Sequence, residues 1–325
     1  MNAPLPPMVD LAAIRAAQAR IAGHIVHTPL ICSAALSRGG APVFLKLETR
    51  QPTGSFKLRG ATNAVLSLGA EGRGFVTAST GNHGRALAHA AKAQGARAVI
   101  CMSALVPANK VEAVRALGAE IRIVGRSQDD AQLEVDRLVN EEGLVEVPPF
   151  DHAAVIAGQG TLGLEIVEDL PAVAQVLVPL SGGGLAAGVA AAVKALRSGA
   201  RLVGVSMERG AAMQASLAAG RPVQVEELPT LADSLGGGVG LANRYTFAMC
   251  RALLDEIVLL TEEEIAAGIR HAFLAEGEVA EGAGAVGIAA LVAGKAKADV
   301  PTVVVVSGRN IDEAVHRRIV EGEAP

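Results

Sequence analysis

Phe75-Val76-Thr77-Ala78-Ser79-Thr80-Gly81-Asn82-His83-Gly84 is the stretch that decides the fold. It reads as a strand through Ser79, a short polar loop, and a helix from about Gly84. The same alternation continues toward the C-terminus. Residues 98–102 read as a strand. Pro107 opens a helix that ends before Gly118, with proline near a first helical position and glycine past the last. A strand at 121–124 and a helix over 128–141 follow, and this βαβα run predicts a small parallel sheet. Working back, 43–47 alternates as a strand does. Gln51-Pro52-Thr53-Gly54-Ser55-Phe56-Lys57 is a polar loop entering a helix over 58–68. Helical spacing covers 11–22, behind a Pro-rich tail over 1–10, and His27-Thr28-Pro29-Leu30 reads as a turn or extended entry.

A second series follows. The runs at 175–180, 202–207, 256–260 and 302–306 are rich in Val and Leu, as strands buried on both faces are. Helices fall between them, notably over 185–196 and 262–275. Half of the 325 residues are hydrophobic, yet 2% are aromatic and Trp is absent, so Ala, Val, Leu and Gly fill the interior. Small residues on helices that face β-branched strands suit a layered α/β protein. There is no internal repeat and no low-complexity linker. The expected plan is two parallel-sheet α/β domains, a large one from 1–52 plus 149–325 and a small one over 53–148 inserted into it.

Composition sets some functions aside. A net charge of −4 with so few aromatics argues against a nucleic-acid binder, which needs a basic face and often stacking rings. Cys32, Cys101 and Cys250 are far apart and lack metal-ligand spacing. An odd cysteine count without a signal peptide implies reduced thiols and a cytoplasmic protein. The N-terminal MNAPLPPMVD has no charged-then-apolar leader pattern. No apolar stretch nears the roughly 20 residues of a membrane span.

Four features could carry chemistry. Lys57 sits in Ser55-Phe56-Lys57-Leu58-Arg59-Gly60, where a polar loop meets an apolar helix. A lysine at a helix start is ordinarily solvated, but an enclosed amine loses its proton more easily and becomes a Schiff-base nucleophile. Ser79-Thr80-Gly81-Asn82-His83-Gly84 offers hydroxyls and N–H groups to a carboxylate at a helix N-terminus; the plain alternative is a strand–helix joint capped by Asn. Ser181-Gly182-Gly183-Gly184-Leu185 also joins a strand to a helix, and successive glycines let N–H groups converge on a phosphate. It lacks the Gly-Lys-Ser/Thr of a P-loop, and Ala187 breaks a Gly-x-Gly-x-x-Gly frame, so a phosphate monoester is favoured over ATP or NAD. Ser307-Gly308-Arg309-Asn310 ends the last Val-rich run; its serine could meet a ring nitrogen, or the segment could be a simple turn.

A lysine, a carboxylate loop, a phosphate loop and a ring-nitrogen partner are together the parts of a pyridoxal-phosphate (PLP) site. From about Ala13 to Ile319 the chain resembles the serine/threonine dehydratases and serine racemases of PLP fold type II, the tryptophan synthase β-like fold. Ser-Phe-Lys-Leu-Arg-Gly at 55–60 and Thr-Gly-Asn-His-Gly at 80–84 are specific to this branch. Phe150-Asp151-His152 and Ile156-Ala157-Gly158-Gln159-Gly160-Thr161 add to the match. The resemblance implies that Lys57, beside Phe56, holds PLP through its amine and acts as base at Cα. Asn82 would bond the PLP 3′-oxygen, and Gly182, Gly183, Gly184 and Leu185 would hold the phosphate. Ser307 would meet the pyridine nitrogen. Ser79, Thr80, Gly81 and His83 would receive the substrate carboxylate, with Thr80 also placed for catalysis. The implied enzyme is a dehydratase and ammonia-lyase acting on a small β-hydroxy-α-amino acid, as a homodimer.

Within the family, Val106-Pro107-Ala108-Asn109-Lys110, Gly125-Arg126-Ser127-Gln128-Asp129-Asp130, Ala232-Asp233-Ser234-Leu235-Gly236-Gly237-Gly238 and Asn243-Arg244-Tyr245-Thr246-Phe247 resemble the hydroxyectoine utilisation dehydratases. That places the substrate among hydroxylated diamino acids or hydroxyaspartate-like acids, with Arg244 either reaching its distal end or lying on the surface. Two departures stand out. Relatives bind a divalent cation through Glu, a carbonyl and Asp; here Glu208 and the Ala212 carbonyl are available, but Gln214 replaces the Asp, and a neutral amide is a weaker ligand for a hard cation. With 18 residues after Ser307, the regulatory domain of biosynthetic threonine dehydratases is expected to be absent. The competing readings are an amino-acid racemase on the same scaffold and a non-catalytic ligand-binding α/β protein.

Overall fold

The computed structural model describes residues 8–69, 71–79, 81–106 and 108–323. The chain enters through α1 (Leu11–Ile21), whose first turn is capped by the Asp10 carboxylate accepting from the Ala13 N–H. Strands β1 (Leu30–Cys32) and β2 (Val43–Leu47) pair antiparallel, so the segment after Pro29 is an extended entry. Then comes α2 (Lys57–Leu68).

The alternating run predicted from 75 onward folds as β3 (Phe75–Ala78), α3 (Asn82–Ala93), β4 (Ala98–Met102), α4 (Ala108–Arg115), β5 (Glu120–Ile123), α5 (Gln128–Glu142) and β6 (Val145–Glu146). Its strands lie in the order β5-β4-β3-β6, all parallel. Pro107, expected to open α4, lies outside the described residues. A Ser127/Asp130 capping box starts α5, and Gly143 ends it in the left-handed conformation.

The remaining elements are α6 (Ala153–Asp169), β7 (Gln175–Pro179), α7 (Gly184–Leu196), β8 (Arg201–Met207), α8 (Ala212–Ala219), α9 (Thr246–Leu253), β9 (Glu256–Leu260), α10 (Glu262–Leu274), α11 (Gly282–Val292), β10 (Thr302–Val306) and α12 (Glu313–Glu321). The second sheet runs β1-β2-β10-β7-β8-β9, parallel apart from β1. Period-two geometry divides its strands between two cores. Val176, Val178, Val303 and Val305 face α1, α6 and α7, while Leu177, Val304 and Val306 face α10 and α11.

Two devices fix α2 against this body. A Cβ at Gly158 of α6 would lie 2.6 Å from the Arg59 carbonyl, so only glycine allows the two helices to come this close. Arg59 itself is fully buried. Its guanidinium donates to Glu48 (2.8 Å) and Glu165 (2.6 and 2.9 Å), and Glu165 also pairs with the buried Lys46 at 2.9 Å. Burial works against the Arg59 charge, but the two carboxylates outweigh it and its pKa is raised.

Candidate active site

Loops at the C-terminal ends of β3, β7 and β10 meet the N-termini of α2, α3 and α7, the place where parallel sheets present ligands. Lys57 is the first residue of α2. Its Nζ donates to the Pro149 carbonyl at 2.7 Å and lies 5.3 Å from the Phe56 ring centroid. Burial lowers its pKa to about 8, although the Glu281 carboxylate pulls the other way. Near neutral pH this amine is therefore a far better nucleophile than an ordinary lysine.

Asn82 and His83 open α3 and are buried. The Asn82 Nδ2 donates to Glu281 Oε1 at 2.7 Å, and its Oδ1 accepts from Asn310 Nδ2 at 2.5 Å. His83 Nε2 lies 2.8 Å from the Val147 carbonyl, which can only accept, so Nε2 carries the proton. Burial and then the neighbouring Lys57 push the His83 pKa down to about 3, and the ring is neutral. Ser79 bends inward: its hydroxyl accepts from the N–H groups of Gly81 (3.4 Å) and Gly84 (3.0 Å) and so shapes the loop. Thr80 lies outside the described residues.

The glycine loop is walled on both sides. A Cβ on Gly182 would come within 2.6 Å of the Phe150 ring. One on Gly183, where φ is +91°, would come within 2.8 Å of Met213 Cε and 2.9 Å of Cys250 Sγ. The N–H groups of Gly184, Leu185 and Ala186 in the first turn of α7 have no partner inside the helix among the described residues, and such groups can bind an anion. Ser307, at the end of β10, is buried, and among the described residues its hydroxyl has only a long 3.4 Å contact to the Ala283 carbonyl. The structure therefore brings Lys57, Asn82 and His83 to one end of the sheets, where Glu281 and Gly308 link them to the end of β10 that carries Ser307.

Arg244 is exposed, with its guanidinium 5.8 Å from the Tyr245 ring centroid. Its backbone N–H joins those of Tyr245 and Thr246 on the Asp151 carboxylate, which caps the start of α9. Glu208, expected as a metal donor, faces the Lys295 ammonium at 3.5 Å, and that ammonium also holds Glu264 (2.7 Å) and the Leu259 carbonyl (2.9 Å). Ala212 begins α8. Among the described residues no three His, Cys, Asp or Glu side chains gather into a metal site of those donors.

Sequence reading missed Glu281 and gave no role to Asn310. A lone carboxylate at the head of the Ala/Gly run that becomes α11 was the available signal, since buried charges need partners.

The family profile described as "Pyridoxal-phosphate dependent enzyme" matches residues 21–308. The chain belongs to the pyridoxal-phosphate dependent enzymes. A Sinorhizobium fredii protein named "Putative threonine dehydratase" is 63% identical over 318 residues, covering 97% of this chain and 96% of that protein. An L-threonine ammonia-lyase from Thermotoga maritima is 42% identical over 319 residues, covering 96% and 78%. Among solved structures, maize serine racemase superposes with a TM-score of 0.90 at 33% identity, covering 96% of this chain and 97% of that one. A threonine deaminase from T.th. gives 0.87 at 35%, covering 93% and 99%. This PLP enzyme thus has the type II fold expected of it and is a lyase.

The residues present fit the cofactor. Among the described residues the Ser55 hydroxyl and His83 Nδ1 are buried without a hydrogen-bond partner, and His83 is near enough to Lys57 to feel its charge. The glycine loop is a cradle that any Cβ would fill. An amine for the aldehyde, N–H groups for the phosphate and a hydroxyl for the ring nitrogen are all at hand.

Proposed function

We propose that this PLP lyase removes water and then ammonia from a small β-hydroxy-α-amino acid, leaving a 2-oxo acid. The observation that carries this reading is the Lys57 amine, enclosed at a helix start with its pKa pulled down to about 8. The cofactor, when bound, supplies an electron sink for the α-carbon. Lys57 would hold the cofactor through its amine and, once the substrate's amine has displaced it, would be free to take the proton from Cα. Gly182, Gly183, Gly184 and Leu185 grip the phosphate through N–H groups, and Asn82 donates to the 3′-oxygen. Ser307 would meet the ring nitrogen with a hydroxyl, which would leave the ring less protonated than a carboxylate would and so favour loss of a β-group. The N–H groups around Gly81 and the Thr80 hydroxyl receive the substrate carboxylate, Ser79 shapes that loop, and neutral His83 adds no charge to it. The activity named for the Thermotoga relative supports the same reaction class. The test is ammonia and 2-oxo acid release from serine, threonine and 3-hydroxyaspartate. Wild type should release both and Lys57→Ala neither; equal release by the two proteins contradicts the reading.

The likeness to maize serine racemase favours racemisation as a second reading. It needs a proton donor on the face opposite Lys57, and the stiff χ1 of a threonine at position 80 is poorly suited to deliver one. D-amino acid should be a minor product by chiral chromatography, and its appearance as the main product overturns the elimination reading.

For the substrate itself we read a second polar or acidic group, as in a hydroxyaspartate-like or hydroxyectoine-derived acid. The exposed Arg244 guanidinium forms no ion pair among the described residues and supports this. Arg244→Ala should cut kcat/KM on the acidic substrate by roughly 1.5–3 kcal/mol and leave serine and threonine nearly unchanged. Equal losses would place its role in the Asp151 turn instead. We also read a cytoplasmic homodimer in which 53–148 is a small domain; a monomer by sedimentation contradicts the dimer.

A further inference from the structure

We propose that Glu281 is a positioning residue: its carboxylate fixes the orientation of the Asn82 amide and so aims the second Asn82 N–H at the cofactor's 3′-oxygen. The inference rests on the reading that Asn82 meets that oxygen. Glu281 is the N-cap residue of α11 and is 4% exposed. Its own backbone N–H donates to the Gly308 carbonyl at 3.1 Å, and the backbone N–H of Asn310 donates to its carboxylate. Gly308 makes room for it, since a Cβ there would lie 2.5 Å from Glu281 Oε1.

The hydrogen bonds run in one direction only. Asn310 Nδ2 donates to the Thr53 carbonyl at 2.9 Å, and a carbonyl cannot donate, so the Asn310 amide cannot flip. The same Nδ2 donates to Asn82 Oδ1, which makes Oδ1 the acceptor, and Asn82 Nδ2 then gives one N–H to Glu281 Oε1. An amide nitrogen has two N–H groups, and among the described residues the second has no partner, which leaves it for a ligand. The relay is anchored by a main-chain carbonyl at one end and by a buried carboxylate at the other. It also crosses from the four-stranded sheet unit to the six-stranded one, since Asn82 opens α3 and Glu281 opens α11.

Glu281 lies among other charges. Lys57 of α2 and Arg85 of α3 feel it directly, and Asp233 and Lys110, themselves paired at 3.0 Å, act on it from the loop before α9 and from α4. Burial first, and Asp233 next, raise the Glu281 pKa to about 7. The charge on the relay therefore changes near neutral pH.

The test uses full-length apoprotein titrated with PLP and the visible absorbance of the loaded protein read across pH, for wild type, Asn82→Ala, Glu281→Ala, Glu281→Gln and the Asn82→Ala/Glu281→Ala double variant. Asn82→Ala and Glu281→Ala should each weaken PLP binding about tenfold, the loss of roughly one hydrogen bond, and the double variant should be no weaker than either single one. Glu281→Gln keeps an accepting oxygen and should stay within about threefold of wild type, while losing any absorbance change centred near pH 7 that wild type shows. If Asn82→Ala binds PLP as wild type does, the Asn82 reading fails. If Asn82→Ala is weakened but Glu281→Ala is not, or if the two losses multiply, the Glu281 proposal is overturned. Should Glu281→Ala not fold, Glu281→Gln decides: absorbance that still titrates as in wild type overturns it, and flat absorbance where wild type titrates supports it.

Discussion

The main-chain N–H of Phe56 donates to the carbonyl oxygen of Ser307 at 3.0 Å, and beside it Ser55 pairs with Gly308 as an isolated antiparallel bridge. Lys57, the next residue, is thereby fixed to the end of β10. The amine proposed to carry the cofactor and the hydroxyl proposed to meet its ring nitrogen come from opposite ends of the chain and share one hydrogen-bonded frame. Such a frame holds reactive groups in place before any ligand arrives, which is what preorganised sites require.

Behind that frame, Arg59 anchors α2 through Glu48 and Glu165, all of them buried. Removing one member of a buried ion group leaves uncompensated charge, at a cost of about 3–5 kcal/mol. Arg59→Met should lower the unfolding free energy of the apoprotein by about that amount in urea. A loss below about 1 kcal/mol, the scale of an exposed pair, would show that water reaches the carboxylates.

Gly183 tests the proposed phosphate loop. Its φ of +91° strains any L-residue, and a side chain would also strike Met213 and Cys250. Gly183→Val should weaken PLP binding by about tenfold or more while the far-UV circular dichroism stays that of wild type. Unchanged affinity would leave the loop a purely structural turn.

How far the sequence revealed this arrangement follows from where each residue sits. The strands were readable because runs such as 303–306 are apolar throughout, and strands buried on both faces need be little else. Lys57, Asn82 and the glycine loop stood out because Gly, Ser and Asn cluster where strands meet helices. The start of α3 was placed near Gly84, yet it begins at Asn82, where Ser79 Oγ captures the loop's N–H groups. Among the helices not singled out, α6 and α11 share one cause. α6 is buried continuously from Val155 to Ile166, and α11 from Gly282 to Ala290. A helix covered on all sides has no polar face and so no amphipathic period. Glu281 escaped notice because its partners, Asn82 and Asn310, are remote or unremarkable in sequence and meet it only through the fold.

The lowered Lys57 pKa sets a pH dependence. Below about 8 the amine holds its proton and is unreactive; above about 8 it is free. The rate at which apoprotein takes up PLP should rise with pH through about 8 and then level off, measured by the growth of visible absorbance in stopped flow. A midpoint near that of an ordinary lysine, about 10.4, would show that the amine is solvated.

The claim on which everything else depends is that Lys57 carries the cofactor. Reducing the PLP-loaded protein with borohydride locks the cofactor onto the amine that holds it, and digestion with mass spectrometry then finds the labelled peptide. The label should sit on Lys57 alone, in the peptide containing Ser55-Phe56-Lys57. Label on another lysine, or a loaded protein that yields no labelled peptide, would contradict the account.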